Sequence, residues 1–169
     1  MTSLKQIEQI ISNIPDPEIP VITIKELGVL RKIEQIDDKI IVTITPTYSG
    51  CPAMDRFQKD IKVQLEGLKV SSFEIQLQYD PAWTTDWITD FAKEKLKKYG
   101  IAPPAHSTSD KTILLGQKQV VPCPRCNSKE TKLVSQFSSN ACKAMYQCED
   151  CLKPFEYFKC LKKKKKSFI

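Results

Sequence analysis

The alternation of apolar and polar positions along the chain predicts a short series of helices and strands. Leu4, Ile7, Ile10, Ile11 and Ile14 recur at the spacing of one helix face, and Ser3-Leu4-Lys5-Gln6 reads as the capping box that starts the helix. Pro15 stops it. Residues 29–36 and 39–45 are rich in β-branched side chains, and Asp37-Asp38 between them predicts a hairpin turn. In the second stretch Ile40, Val42 and Ile44 share one face, with Ile41, Thr43 and Thr45 on the other. Met54, Phe57, Ile61 and Leu65 then form a helical stripe from Pro52 to near Gly67, a residue suited to a left-handed position after a helix. Phe73, Ile75, Leu77 and Tyr79 alternate with Glu74, Gln76 and Gln78, the pattern of a strand with one wet face.

This order predicts an α+β fold: a small mixed sheet with helices packed on it. The last strand follows a crossover helix and should lie parallel to a neighbour. A further helix is expected over 85–99, with Trp87, Ile88, Phe91, Leu96 and Tyr99 on one side and Gly100 closing it. Trp83 and Trp87 read either as core anchors or as an exposed partner face. Periodicity then lapses in the proline- and serine-rich run 103–110, which marks a domain boundary.

At 169 residues the chain has room for one full domain and a small appendage. Its 41% hydrophobic and 27% charged residues are those of an ordinary soluble protein. No apolar run approaches a membrane span, and the opening Met1-Thr2-Ser3-Leu4-Lys5 lacks the apolar region of a secretory leader. Seven cysteines without an export signal point to metal binding in a reducing, cytoplasmic setting rather than to disulfides. The net charge of +6 is local, because the lysine run 162–166 supplies five of those charges. A near-neutral body argues against a broad nucleic-acid footprint. The run is either a solvated end or a contact for an anionic surface.

Two places carry candidate chemistry. In Thr45-Pro46-Thr47-Tyr48-Ser49-Gly50-Cys51-Pro52 a strand end turns into a helix start, with Pro52 at the first helical position and Cys51 as N-cap. The unpaired N–H groups and dipole there favour a thiolate, which is both nucleophile and metal ligand. The plainer reading is a small residue filling a tight turn. Upstream, Asp16-Pro17-Glu18-Ile19-Pro20 is either a stiff connector or a loop that brings two carboxylates toward Cys51. The sole histidine, His106, lies in the boundary segment, so a Cys-His or Ser-His-Asp arrangement is not expected.

The second place is Cys123-Pro124-Arg125-Cys126 and Cys148-Glu149-Asp150-Cys151, two C-x2-C pairs with 21 residues between them. Two such knuckles complete a tetrahedral thiolate cage, with strands over 132–137 and 143–147, as in a zinc ribbon. Four protein sulfurs leave no open position, so the metal reads as structural, with zinc the default and iron the alternative. Cys142 is either a spare ligand near the ribbon or a reactive thiol, and Cys160 a bystander. The expected layout is an α+β domain over 1–102, a linker over 103–118, a C-terminal zinc-ribbon module over 119–160 and a basic tail over 161–169.

Asp16-Pro17-Glu18, Glu26-Leu27-Gly28-Val29 and Gly50-Cys51-Pro52 resemble the iron–sulfur assembly domain of SufT-like proteins and of the cytosolic iron–sulfur targeting machinery. A longer set adds Trp83-Thr84-Thr85-Asp86-Trp87-Ile88, Tyr99-Gly100-Ile101-Ala102-Pro103-Pro104, Ala141-Cys142-Lys143-Ala144 and Pro154-Phe155-Glu156-Tyr157-Phe158-Lys159-Cys160. With the ribbon, it resembles the PaaD family of small accessory subunits of bacterial phenylacetyl-CoA ring epoxidases, from Ile14 to Cys160. The resemblance implies a non-enzymatic subunit beside a di-iron oxygenase and a reductase that carries flavin and an iron–sulfur cluster. Its implied work is inserting iron or a cluster into those partners, the reductase's cluster foremost. Cys51 would be the transient iron or cluster ligand, supported by Asp16, Glu18 and Thr45, with Cys142 a further candidate. Cys123, Cys126, Cys148 and Cys151 would hold zinc. Glu26 stands where the family carries aspartate. One thiolate per chain cannot fully ligate a cluster, so a homodimer or a client must supply the rest. Two other readings stand beside this one: a structural interaction subunit without metal transfer, and a zinc-ribbon nucleic-acid module.

Overall fold

The computed structural model describes residues 2–48, 50–104 and 120–159. His106, Cys160 and the lysine run lie outside the described residues. The chain divides between Tyr99 and Gly100 into two compact units.

In the first unit, α1 (Leu4–Ser12) starts at the expected capping box: Gln6 N–H donates to Ser3 Oγ at 3.3 Å, and Ser3 N–H donates to Gln6 Oε1 at 2.9 Å. It buries Ile7 and Ile11. β1 (Leu30–Ile36) and β2 (Lys39–Ile44) form the antiparallel hairpin, and β3 (Phe73–Leu77) lies parallel to β2, giving the order β1-β2-β3. The sheet is mixed, as expected. β2 is its middle strand and is buried on both faces, so Ile41 and Thr43 are covered as well as Ile40, Val42 and Ile44.

The crossover helix α2 (Ala53–Gly67) buries Met54, Phe57, Ile61 and Leu65, the stripe legible in the sequence. Both its ends differ from expectation by a residue or two. Pro52 is the N-cap, with helical φ −67° and ψ −19°, so Cys51 lies one step before the cap rather than on it. At the other end Gly67 stays helical and Lys69 takes the left-handed turn at φ 56°. Val70 N–H donates to Leu65 O at 3.0 Å and Lys69 N–H to Glu66 O at 2.9 Å, which is the paired closure of a Schellman motif and dictates where the reversal falls.

The 13–29 stretch is not a mere connector. Ile14, Ile19, Ile22, Ile24, Leu27 and Val29 are buried, tied by Asp16 N–H to Ile22 O at 2.9 Å and Ile24 N–H to Ile14 O at 2.9 Å. The helix expected over 85–99 is broken. A 3-10 turn (Thr85–Trp87) is capped by Thr84 Oγ1, Ile88 is extended, and Thr89 caps α3 (Asp90–Tyr99) by accepting from Ala92 N–H at 3.1 Å. Threonines on either side offer the backbone local bonds that compete with a continuous helix. The buried face is then Ile88, Ala92 and Leu96, while Phe91 and Tyr99 are exposed. Trp83 is a core anchor whose Nε1–H donates to Leu27 O at 2.9 Å. Trp87 is half-buried, with the Arg31 guanidinium 3.7 Å from its ring centroid. Gly28 sits under it at φ +79°, where a Cβ would lie 2.6 Å from Trp87 Cβ.

The second unit is a four-stranded sheet in the order β4-β7-β6-β5. β5 (Thr131–Ser135) and β6 (Lys143–Cys148) are the two strands the spacing predicts, in antiparallel register. β7 (Pro154–Phe158) adds a third that the cysteine spacing did not announce. β4 (Ile101–Ala102) lies parallel to β7, so these two residues, assigned by the pattern to the first domain, belong to this sheet. Its core joins Ala102, Val121, Ala144, Tyr146, Phe155 and Tyr157 to Cys123 and Cys148. Tyr146 stacks on Phe155 at 5.9 Å and meets Tyr157 edge-on at 5.7 Å.

Candidate functional site

The two cysteine knuckles share one backbone solution. In the first, Asn127 N–H donates to Cys123 O at 2.9 Å and Cys123 N–H to Ser128 O at 2.9 Å, with Asn127 left-handed at φ 60°. In the second, Cys148 N–H donates to Lys153 O at 3.1 Å, and Leu152, also one residue past the second cysteine, takes φ 60°. Between the knuckles Glu149 N–H donates to Glu130 O at 2.7 Å, and Ser128 Oγ donates to Asp150.

These constraints bring the sulfurs of Cys123, Cys126, Cys148 and Cys151 within 4.8 Å of one another. Cys123 and Cys151 are 3.8 Å apart, Cys126 and Cys148 3.5 Å, and none is in a disulfide. A tetrahedron of zinc–thiolate bonds has edges of about 3.8 Å, so the donor set fits a four-sulfur metal site. Without metal the sulfurs share protons unevenly. The N–H of Cys151, then that of Asp150 and the neighbouring thiols, draw Cys148 down to about 7 despite burial. Ser128 N–H pulls Cys126 the same way, but burial and the three neighbouring sulfurs outweigh it and push its thiol up to about 12. Metal displaces those protons, because the ligand is the thiolate.

Cys142 is outside this set. It precedes β6, at the opposite end from Cys148, and is buried, with its thiol donating to Asn140 Oδ1 at 2.8 Å. Beside it Lys143 Nζ lies 3.3 Å from Glu156 Oε2, and Ser138 and Ser139 Oγ donate to Glu156 Oε1 at 2.6 and 2.8 Å. Burial raises Glu156, but the two serines and Lys143 carry its carboxyl below the ordinary range.

The Cys51 turn belongs to the first unit. Thr45 N–H donates to Val29 O at 2.8 Å, Gly50 turns the chain at φ +79°, and Cys51 N–H donates to Tyr48 O at 3.2 Å. The first turn of α2 has no side-chain cap. Cys51 is half-buried, and Thr47 Oγ1 donates to its sulfur at 3.7 Å, a contact that sequence reading missed. Thr45 Oγ1 is fully buried and has no hydrogen-bond partner among the described residues. Leaving such a group unpaired costs about 1–3 kcal/mol, which a ligand with an acceptor atom would recover. Asp16 is buried and its Oδ1 accepts from Glu18 N–H and Ile19 N–H, both at 2.8 Å, so this carboxylate shapes its own loop; Glu18 is exposed. Glu26 is a strut: Oε2 accepts from Thr23 N–H at 2.9 Å and Oε1 pairs with Lys95 Nζ at 2.8 Å. Burial would raise its carboxyl, yet the bonds from Lys95 and Thr23 and the Lys95 charge hold it below the usual value.

Residues 4–75 match the model of the family described as iron–sulfur cluster assembly protein, and residues 107–159 that of the PaaD zinc beta ribbon domain. Fold and cysteine geometry thus define an assembly-type domain followed by a ribbon. A domain of unknown function, DUF59, from Bacillus anthracis superposes with a TM-score of 0.50 at 22% identity, over 55% of this chain and 90% of its own, a likeness of fold. A Porphyromonas gingivalis protein named as an Fe-S protein maturation auxiliary factor is 31% identical over 94 residues, 54% of this chain and 89% of its own. An Escherichia coli K12 protein named as one of the subunits of 1,2-phenylacetyl-CoA epoxidase is 45% identical over 156 residues, 92% of each chain. The chain belongs to the PaaD family. No helix among the described residues is long and apolar enough to cross a membrane.

Proposed function

We infer that this protein is a non-catalytic accessory factor of a phenylacetyl-CoA epoxidase system, and that it helps iron or an iron–sulfur cluster into the reductase or oxygenase components. Cys51 is the thiol that holds this cargo in transit. The observation that carries the reading is the Cys51 turn itself: a half-buried sulfur just before a helix start that has no side-chain cap. Cys123, Cys126, Cys148 and Cys151 hold a structural zinc, a closed ion that cross-links the knuckles and takes no part in transfer. A second copy or the client completes the cargo's ligands, since one sulfur cannot. The work is done in the cytoplasm, where thiols stay reduced.

The test is co-expression of the epoxidase components with the parent chain or with Cys51→Ala, followed by iron and sulfide analysis of the purified reductase and oxygenase. The variant should fold normally and leave its client deficient in metal. Fully loaded, fully active epoxidase would overturn the assignment.

A second reading, docking without transfer, draws on the exposed Leu133 and Val134 of the outer strand β5 and on exposed Phe137 after it. Leu133→Lys with Val134→Lys should then abolish co-purification with the epoxidase components, while Cys51→Ala costs nothing.

A further inference from the structure

We propose that the outer edge of β1 joins two copies of this chain, each adding its β1 antiparallel to the other about a two-fold axis at Ile33. Among the described residues β1 is an edge of the sheet β1-β2-β3. Ile40 N–H donates to Ser72 O on the β3 side, and β2 alternates, so Lys39, Ile41 and Thr43 turn toward β1. Their partners Ile36, Glu34 and Lys32 are the ones bonded to β2, which leaves the N–H and C=O groups of Ile33 and Gln35 directed outward. Such an edge is a template for another strand. Lys32, Gln35 and Ile36 on it are exposed, and Ile33 and Glu34 are half-buried.

Charge picks both the occupant and the register. With the axis at Ile33, the two Ile33 residues exchange a pair of backbone hydrogen bonds. Lys32 then lies opposite Glu34 of the second copy, and Glu34 opposite its Lys32. Lys32 and Glu34 project to one face of the strand, where within a single chain they already meet at 2.6 Å. Opposite charges directly across a strand pair favour it, and like charges oppose it. Sliding to the next matching register sets Lys32 on Lys32 in one direction and Glu34 on Glu34 in the other, so the same two residues reject both neighbours. The opposite edge, β3 (Phe73–Leu77), has one acidic residue and no basic one, and offers no such match. The ladder of β1 is irregular at Arg31, whose guanidinium stacks on Trp87, so the matched stretch is short and the dimer a weak one.

The experiment measures self-association of the intact chain by sedimentation equilibrium from micromolar to millimolar concentration, where the parent should dimerise. Lys32→Glu and Glu34→Lys each turn both cross-strand pairs into like charges, and each should weaken dimerisation roughly tenfold or more. An equimolar mixture of the two variants restores opposite charge at both pairs and should dimerise about as well as the parent. The chain carrying both substitutions should do the same. A parent that stays monomeric at millimolar concentration overturns the proposal. So do single variants that dimerise as well as the parent, and so does a mixture that stays monomeric. If either charge reversal unfolds the chain, Lys32→Gln and Glu34→Gln decide by the same criterion, each expected to weaken dimerisation about threefold. Neither client nor cargo enters the measurement, so its failure leaves the Cys51 reading standing, and the failure of that reading leaves this interface standing.

Discussion

The two units are held together by different physics. Among the described residues, the largest side chains wholly removed from solvent are Phe57, Ile11, Ile22, Ile24, Ile44, Ile61, Leu65, Leu96, Val29, Val42 and Thr45, all in the first unit, and then Cys123. The ribbon's apolar core is smaller: two alanines, one valine, one phenylalanine and two tyrosines cluster around cysteine sulfur, with Ile101 and Phe158 buried besides. It also leaves Val120, Leu133, Val134, Phe137 and Leu152 exposed. One unit is built around buried hydrocarbon, and the other around cysteine sulfur at its knuckles. Cys51, the candidate cargo thiol, lies in the first unit and the four-cysteine set in the second.

The largest effect should come from breaking the knuckle cross-link. Cys148→Ser, or metal removal with a strong chelator, should dissolve the order of residues 120–159, because a structural zinc site contributes about 10–16 kcal/mol of apparent binding free energy at neutral pH. Amide dispersion in an NMR spectrum would show this, with the first unit's resonances unmoved. A metal-free ribbon that stays dispersed would mean its small core suffices and would erase the contrast.

The first unit answers to volume instead. Phe57→Ala should lower its stability by about 3–5 kcal/mol, read from the denaturant midpoint, and leave the metal content unchanged. Gly28→Ala should cost about 3 kcal/mol, part from the left-handed backbone and part from crowding Trp87. A smaller effect tests the Glu26 strut. Glu26 gives up its proton more readily folded than unfolded, so its contribution is present above the ordinary carboxyl value of 4.5 and is lost as pH falls below it. Glu26→Gln should flatten that acid-side slope and cost at most about 1 kcal/mol near neutrality, since the pair with Lys95 is partly exposed. Cys51→Ala should do least to stability in either unit, and a loss above about 1 kcal/mol would favour the plainer view of Cys51 as a packed turn residue.

Features generated by neighbours in the chain were legible beforehand. The Ser3 capping box, the β1–β2 hairpin and the Met54-Phe57-Ile61-Leu65 stripe each follow from spacing over a few residues. So did the gathering of Cys123, Cys126, Cys148 and Cys151, because each knuckle is a local turn and the hairpin between them has little freedom. The break at Ile88 was not legible, since periodicity alone does not register two threonines competing for the backbone.

What only the tertiary structure decided is where long-range partners meet. Ile101–Ala102 joined the ribbon because β7, more than fifty residues later, offers a free edge. The 13–29 loop entered the core because Ile14 and Ile24 bond to each other across a turn without helix or strand rhythm. Glu26 was drawn to Lys95, and Asp16 accepts from two N–H groups of its own loop. The sequence by itself determined the elements and the four-sulfur set, since both arise from short-range geometry. The fold decided that Cys51 would keep Thr47 for company, because a side chain's hydrogen-bond partner depends on which rotamers the surrounding turn leaves open.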